Sequence, residues 1–250
     1  MNIPGSFNEG WGVKFRDSFG GIAPAATGPV LPAWVTHAWE DPGVADGAPI
    51  TTHTDLISAV VAASSGTARP TWREDYAGTG VAAVEWDGVD DVLTTTTNVD
   101  LTAGYTYCAL VYIQGFTGGL STLFEQGGAA TESSVYGSST YSNMYLVRRV
   151  GGTFVVGTPS PYVPSGQWLC ITVTHNGAAS NVTVNRVVHA TGSVPNPSVS
   201  GIIRFGHGIG AISLGWLKGA VAAHYFGPPA SPTQLTEIWD YVNDRHGVSL

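Results

Sequence analysis

The chain has 250 residues, of which 43% are hydrophobic and only 11% are charged, and its formal net charge is −8. This apolar content is enough for a folded core and excludes a disordered chain. Ten basic against eighteen acidic residues exclude a basic duplex-binding surface, so we expect no nucleic-acid partner. No stretch approaches about 18 consecutive apolar residues, so we expect no membrane span.

The first 45 residues have a different pattern from the remainder of the chain. Pro or Gly recurs every few residues between single aromatic side chains, and neither a strand nor a helix period persists. We predict that residues 1–45 form an extended N-terminal arm. Because its aromatic rings need a surface on which to bury, they pack either on the chain's own domain or on a neighbouring subunit. For the second case, the predicted interface residues are Trp11, Phe15 and Trp34.

Residues 46–250 are typical of an all-β domain. Segments with the length of strands are bounded by Gly, Pro or Asn, and the chain contains 33 Gly and 15 Pro. About ten strands around one core predict an antiparallel two-sheet sandwich. An Asn-Gly pair at Asn176 lies between two alternating segments and predicts a hairpin. The segment 181–190 is predicted to be a single strand.

One helix is predicted, over residues 232–246 at the end of the domain. Ser231 is a suitable N-cap, Pro232 suits the first turn, and Gln234 completes a capping box. Gly247 can follow the helix as its C-terminal cap. Apolar residues at steps of three and four form one stripe, which we expect to dock on the sandwich: Leu235, Ile238 and Val242.

The two cysteines, Cys108 and Cys170, both lie in segments that are predicted to be strands. Two cysteines in a chain of this size do not form a disulfide framework. They could pair if the two strands are neighbours. Small buried apolar side chains are the favoured interpretation, as in a reducing compartment.

An acidic cluster, Glu85, Asp87, Asp90 and Asp91, allows three interpretations. A catalytic strand would carry acids at alternate positions on one face; Glu85 and Asp87 fit this pattern, but Val89 occupies its third position. Calcium binding is the second, because the loop offers hard oxygen ligands, and Asp87 and Asp90 are the candidate calcium ligands. The favoured interpretation is a turn in which the aspartates bond local backbone N–H groups. We therefore predict no catalytic residues and no obligatory cofactor.

Several segments in order resemble the concanavalin A-like, laminin-G-type domain. The segment 69–95, "RPTWREDYAGTGVAAVEWDGVDDVLTT", resembles its opening segment, and "PSGQWLCITVTHNG" resembles a later core strand and turn. The last 30 or so residues resemble its closing strand and helix, so the resemblance covers about residues 65–250. It implies a jelly-roll β-sandwich. It leaves function open, because this fold includes lectins, hydrolases and structural modules. The hydrolases of the family use a Glu-x-Asp-x-Glu strand, from which this chain departs at Val89.

The leading functional hypothesis is a non-enzymatic bacteriophage virion protein, in which such domains are found. Residues 1–20 lack the pattern of a secretion signal, so we expect synthesis in the host cytoplasm and a final location in the virion. The partners would be major capsid or tail proteins, with the chain acting as a capsid decoration, minor capsid or minor tail protein. A trimer or larger ring is expected, because virion proteins are repeated around symmetry axes.

Two alternatives use the same fold differently. In the first, the sandwich binds a cell-surface glycan during adsorption to a host. Aromatic residues near predicted loops, among them Tyr145 and Trp216, could then stack on a sugar, although packing in a core or interface is more common for such residues. In the second, weaker alternative, the domain is a glycoside hydrolase and depends on Glu85.

Overall fold

The structure is a computed structural model that describes residues 28–116, 120–127, 131–138, 143–148, 153–157, 165–207 and 216–250. It is a sandwich of two antiparallel β-sheets with one helix at its C-terminal end, which confirms the predicted fold class. No helix among these residues is long and apolar enough to cross a membrane.

The described residues form sixteen strands and one α-helix. In chain order they are β1 (His37–Trp39), β2 (Thr52–Thr54), β3 (Val61–Ala63), β4 (Thr71–Arg73), β5 (Ala83–Asp87), β6 (Leu93–Thr95), β7 (Tyr105–Phe116), β8 (Leu120–Gly127), β9 (Thr131–Ser138), β10 (Asn143–Arg148), β11 (Phe154–Gly157), β12 (Trp168–His175), β13 (Gly177–Val184), β14 (Val187–Val194), β15 (Ile203–Phe205), β16 (Leu217–Gly227) and α1 (Pro232–His246). A 3-10 turn, Tyr76–Gly78, lies between β4 and β5.

Each sheet contains eight of these strands. Sheet 1 has the order β14-β13-β12-β7-β16-β5-β4, with β1 also paired to β16, and sheet 2 has the order β11-β10-β9-β8-β15-β6-β3-β2. β5 and β1 share one edge of β16: β5 pairs with residues 218–221 and β1 with residues 224–226. The end of β1 and the start of β5 therefore meet beside the middle of β16.

Large aromatic side chains fill the space between the sheets. Tyr107 and Phe124 lie 4.6 Å apart between ring centroids, and Phe124 and Phe226 lie 5.0 Å apart. Trp39 and Phe205 make an edge-to-face contact at 5.2 Å. All five are essentially inaccessible to solvent. Burial of each such ring contributes roughly 1.5–3 kcal/mol relative to exposure, so this cluster is the main attraction between the sheets.

Strand β7 is buried on both faces, because sheet 2 covers one side of sheet 1 and α1 covers the other. Tyr105 and Tyr107 belong to the core between the sheets, whereas Cys108 and Leu110 belong to a second cluster with α1. This explains why "YTYCALVYI" reads as a nearly continuous apolar run and not as a clean alternation. We call the side of sheet 1 that faces away from sheet 2 its outer face.

The helix α1 has the bounds predicted from its capping residues. The Ser231 side chain accepts from the backbone of Gln234, the reciprocal bond completes the capping box, and Gly247 ends the helix with a left-handed backbone. Trp239 donates from Nε1 to Thr172 Oγ1 at 2.9 Å, which fixes the helix to the outer face of sheet 1. The three predicted stripe residues are all buried: Leu235, Ile238 and Val242.

The two cysteines lie on the neighbouring strands β7 and β12, beneath α1. Cys108 pairs with Thr172 and Cys170 pairs with Leu110, so the cysteines are diagonal and not opposite. Diagonal positions in a ladder are about 7–8 Å apart, which is beyond the usual reach of a disulfide. Both thiols are free and buried, with their sulfur atoms 3.4 Å apart.

Part of the segment assigned to the arm is integral to the sandwich. Residues 1–27 lie outside the described residues, whereas residues 37–39 form β1 and pair with β16. Trp39 is fully buried in the core between the sheets. Residues 29–33 lie alongside α1 and line a groove with it.

The sequence interpretation was wrong about one turn. The segment 181–190 was predicted to be a single strand, but Asn185 and Arg186 divide it into β13 and β14. Both residues have positive φ angles, 46° and 68°, as a tight type I′ hairpin turn requires. The Asn185 side chain accepts from the backbone N–H of Cys170 at 2.9 Å, which supports this uncommon conformation.

Gly206→Ala tests the closest approach of backbone to the aromatic core. Gly206 has φ of 84°, and an added Cβ would lie 2.2 Å from the Trp86 ring. Gly66 has a similar φ of 65° but nothing within 4 Å, so Gly66→Ala is a matched control. Both variants lose about 1–2 kcal/mol from the backbone, and Gly206→Ala loses a further 1–3 kcal/mol, roughly, from overpacking. Urea unfolding measures both losses, and equal values would contradict the predicted clash.

Candidate functional site

The acidic cluster forms a turn at the end of β5. Asp87 Oδ1 accepts from the backbone N–H groups of Val89 at 2.7 Å and Asp90 at 3.4 Å. Asp91 Oδ2 accepts from the backbone N–H of Asp87 at 2.8 Å. These are the local bonds expected of the favoured turn interpretation.

The same turn also brings three carboxylates together. One oxygen each from Asp87, Asp90 and Asp91 lies within 4.8 Å of the others, the only such group of three in the described part of the chain. Burial, with the charges of Asp87 and Asp90 adding to it, raises the pKa of Asp91 to about 6. A calcium ion would offset this repulsion with hard oxygen ligands. Calcium binding by Asp87 and Asp90 remains a prediction.

Glu85 lies on the outer face of sheet 1 and is held in an ion pair. Its Oε2 accepts from Arg73 Nε at 2.7 Å, and both side chains are partly exposed. Asp87, two residues further along β5, lies on the same face, as the strand period requires. Val89 lies beyond the strand, where the chain has already turned. The structure therefore places two acids, and not the three of a Glu-x-Asp-x-Glu series, on this face of the strand.

Strand register brings two aromatic residues into line with Glu85. Glu85 pairs with Ala220, Ala220 with Tyr112, and Tyr112 with Trp168, so these residues share one row across β5, β16, β7 and β12. Tyr112 and Trp168 are half-buried. Their ring centroids are 5.4 Å apart at an interplanar angle of 69°.

A third aromatic ring contacts both members of this pair. Tyr76, in the 3-10 turn, contacts Tyr112 at 5.3 Å and Trp168 at 6.2 Å between centroids. The loop also fixes the indole, because Trp168 Nε1 donates to Thr79 Oγ1 at 2.9 Å. We call Tyr76, Tyr112 and Trp168 the aromatic patch.

The Tyr76 hydroxyl is an exception to the usual pairing of buried polar groups. Tyr76 is 3% exposed, and its hydroxyl has no hydrogen-bond partner in the described part of the chain. Burial raises its pKa to about 12, and the nearby charge of Glu85 contributes. Ala77, beside it, has a φ of 56° that is uncommon outside glycine. Strained backbone and unpaired polar groups are more frequent at binding sites than elsewhere.

Glu40, just after β1, is a buried carboxylate with phenolic and charged partners. Glu40 Oε1 accepts from the hydroxyls of Tyr225 at 2.8 Å and Tyr241 at 2.6 Å, and Oε2 accepts from Arg245 Nε at 2.9 Å. Burial opposes the charge, but the bonds from Tyr241, Arg245 and Tyr225 together hold the pKa of Glu40 below its usual value. One carboxylate thus joins the end of β1 to β16 and α1.

A serine, a histidine and an aspartate also meet near β1, but not as a catalytic triad. Asp55 Oδ2 lies 2.5 Å from His37 Nδ1, and Ser58 Oγ lies 2.9 Å from the same nitrogen. A proton relay needs the serine on one imidazole nitrogen and the aspartate on the other. Asp55 also accepts from the backbone of Ala38 and Ile57, so it stabilises the chain between β2 and β3.

The predicted interface residues are only partly within the described residues. Trp34 is half-buried and packs on the chain's own sandwich, where a Cβ added to Gly227 would lie 2.6 Å from its ring. Trp11 and Phe15 lie outside the described residues. A contact of Trp11, Phe15 or Trp34 with a neighbouring subunit remains a prediction.

Comparison with known proteins shows the fold. The sequence matches no family model and no curated protein. Domain 4 of AbnA, a GH43 extracellular arabinanase from Geobacillus stearothermophilus, solved in complex with arabinotriose, is 15% identical. The match covers 82% of this chain and 97% of that domain, with a TM-score of 0.55.

Two larger proteins contain a similar sandwich. Trypanosoma rangeli sialidase is 12% identical, with a TM-score of 0.58 over 86% of this chain and 34% of its own. The receptor-binding domain of botulinum neurotoxin type G is 10% identical, with a TM-score of 0.58 over 82% of this chain and 51% of its own. This chain therefore spans about a third of the sialidase and half of the neurotoxin domain. At these identities the likeness shows a shared β-sandwich.

Glu40→Gln tests the contact between β1, β16 and α1. The substitution keeps the shape but removes the charge that Arg245, Tyr225 and Tyr241 stabilise, so we expect a loss of about 1.5–3 kcal/mol in the free energy of unfolding. Glu237→Gln, on the exposed side of the same helix, is the control, with an expected change within about 0.5 kcal/mol. Equal losses in urea unfolding would contradict a special role for Glu40.

Buried histidines make the fold sensitive to acid. Burial lowers the pKa values of His53 and His246 to about 4, from the ordinary value of 6.5. Between these values the unfolded chain binds protons that the folded protein excludes, so stability falls as the pH falls from 6.5 towards 4. Asp91, with its raised pKa of about 6, acts in the opposite direction over part of this range.

The histidine effect is measured by unfolding at a series of pH values. His53→Gln should reduce the slope of stability against pH between 6.5 and 4, and Asp91→Asn should increase it, because that variant lacks the opposing group. A wild-type stability that stays constant over this range, or a slope that His53→Gln does not change, would contradict the assignment.

Proposed function

We propose that this protein is a non-catalytic carbohydrate-binding module whose aromatic patch contacts the sugar. The observation that carries the proposal is the row on the outer face of sheet 1, in which half-buried Tyr112 and Trp168 are aligned, across Ala220, with Glu85, the ion-pair partner of Arg73. Aromatic rings and hydrogen-bonding groups are thus presented together on a rigid sheet.

This combination suits a sugar for chemical reasons. One face of a sugar ring is formed by C–H groups, which pack favourably on the face of an aromatic ring, while its rim carries hydroxyls. Planar charged groups such as those of Arg73 and Glu85 form strong, directional hydrogen bonds with hydroxyl groups. Because the rings of Tyr76, Tyr112 and Trp168 brace one another, little side-chain entropy is lost on binding.

The comparisons support this proposal at the level of the fold. The arabinanase domain, which this chain matches over 97% of its length, was solved in complex with arabinotriose. The neurotoxin domain is named as a receptor-binding domain. Sandwiches of this shape therefore occur in proteins that bind sugars or receptors, although the ligand does not transfer at 10–15% identity.

Hydrolysis is the weaker proposal for the same face. A glycosidase needs a carboxylic acid and a second carboxylate on either side of the scissile bond. Glu85 is engaged by Arg73 and Asp87 by the backbone of its turn, so neither is presented as a free proton donor. A reducing-sugar assay on polysaccharides tests this, and turnover that Glu85→Gln abolishes would replace the binding proposal with an enzymatic one.

A place in a bacteriophage particle remains a separate prediction from the sequence. The proposed anchors Trp11 and Phe15 lie outside the described residues, so that hypothesis rests on the sequence pattern and the stated resemblance. A carbohydrate-binding sandwich is compatible with display on a particle and does not require it.

Trp168→Ala tests the aromatic patch as the sugar site. With a glycan array to find ligands and arabinotriose as a defined probe, we expect Trp168→Ala and Tyr112→Ala to weaken binding at least about tenfold, or 1.4 kcal/mol. The matched control is Trp216→Ala, which removes an indole outside the aromatic patch. Trp216 stacks on His207, with 3.6 Å between ring centroids. Calorimetry measures the affinities.

Two outcomes would contradict this site. If Trp216→Ala abolishes binding while Trp168→Ala does not, sugar binds at another aromatic residue. If no glycan on the array binds the folded protein, the carbohydrate-binding function itself fails.

A further inference from the structure

A pocket lies where β1 and β5 share one edge of β16. Ala222 lies between the residues of β16 that pair with β5 and those that pair with β1, so it has no partner on that edge in the described part of the chain. It is also the extra residue of a β-bulge opposite β7. Bulges of this kind are frequent beside binding sites. The gap is a cavity of about 250 Å³.

The titratable side chains that line this pocket come from three parts of the fold. Glu40 and Asp41 follow β1, Glu74 follows β4, and Arg245 and His246 end α1. Glu40 is buried, whereas Asp41 and Glu74 are exposed. The loop residues 80–82 complete the wall, next to Thr79, which fixes the indole of the aromatic patch.

The electrostatics of the pocket favour a positive ligand. Three carboxylates and one guanidinium line the pocket, and that guanidinium already donates from Nε to Glu40. His246 is neutral at pH 7, because burial lowers its pKa to about 4. The C-terminal end of α1 adds partial negative charge, since its last carbonyl groups have no partners within the helix. Asp41 and Glu74 have no ion pair within the described residues, and Asp41 Oδ1 accepts from the backbone N–H of Gly43 at 2.7 Å.

The spacing of these acids favours an organic cation over a metal ion. A calcium site needs six to eight oxygens at about 2.3–2.6 Å from one point. Within the described residues, only the turn of Asp87, Asp90 and Asp91 gathers three such ligands within 4.8 Å. The pocket's carboxylates are therefore spread around a cavity that is somewhat smaller than the roughly 300–1,000 Å³ sites of drug-sized ligands.

We propose that this pocket binds a small organic cation, with Asp41 and Glu74 as the ion-pairing groups for its ammonium. Glu40 and Arg245 form the internal pair that holds the pocket's shape, and the gap beside Ala222 accommodates the body of the ligand. This site is distinct from the aromatic patch, and the proposal does not depend on sugar binding.

The test uses the full chain and two probes of one shape. Cyclohexylamine is fully charged at pH 7.5, and cyclohexanol is its uncharged counterpart. Calorimetry at low salt should show binding of the amine but not of the alcohol, and added salt should weaken it, because exposed ion pairs are screened. The double variant Asp41→Asn, Glu74→Gln should lower the affinity for the amine at least about tenfold.

The control keeps the number of removed charges constant. Glu237→Gln with Asp244→Asn changes two exposed acids on α1 that do not line this pocket, and the amine should bind this variant like the wild type. Thermal unfolding confirms that both double variants remain folded. Equal binding of the alcohol, equal losses in both variants, or no heat of binding at millimolar amine would each overturn the proposal.

Discussion

The buried carboxylate of Glu40 is the constraint on which the outer face of sheet 1 depends. It receives bonds from Tyr225 in β16 and from Tyr241 and Arg245 in α1, so one group ties the C-terminal part of the helix to the sheet. A buried charge without these partners would be strongly unfavourable. Burial of Glu40 therefore favours only the arrangement in which β16 and α1 both contact the end of β1. Next to α1, the loop 76–82 contributes Tyr76 to the aromatic patch and residues 80–82 to the wall of the pocket.

The attraction that holds the two sheets together is less specific. Aromatic rings from both sheets interlock between them, and any sequence with such rings at alternating positions would favour a sandwich. The two proposed sites coincide with departures from this regularity: a bulge at Ala222, a left-handed alanine at Ala77 and a hydroxyl on Tyr76 that has no partner within the described residues. Each departure lowers the stability of the fold locally. The free energy gained by burying the aromatic rings is large enough to offset this loss.

Local chemistry explains which elements the sequence could predict. The bounds of α1 were correct because capping residues act within one turn of the helix. The turn at Asn185 and Arg186 was missed because its positive φ angles are supported by a bond to Cys170, which is remote in sequence. The patch was missed for the same reason, since only strand register aligns Tyr112 with Trp168. The acids near Glu85 were conspicuous in the sequence, yet most of their bonds close a turn.

The groove between residues 29–33 and α1 places the first and last described segments of the chain side by side. Because residues 29–33 and α1 form the two walls of this groove, a local opening that lifts the helix from the sheet also exposes that segment to solvent.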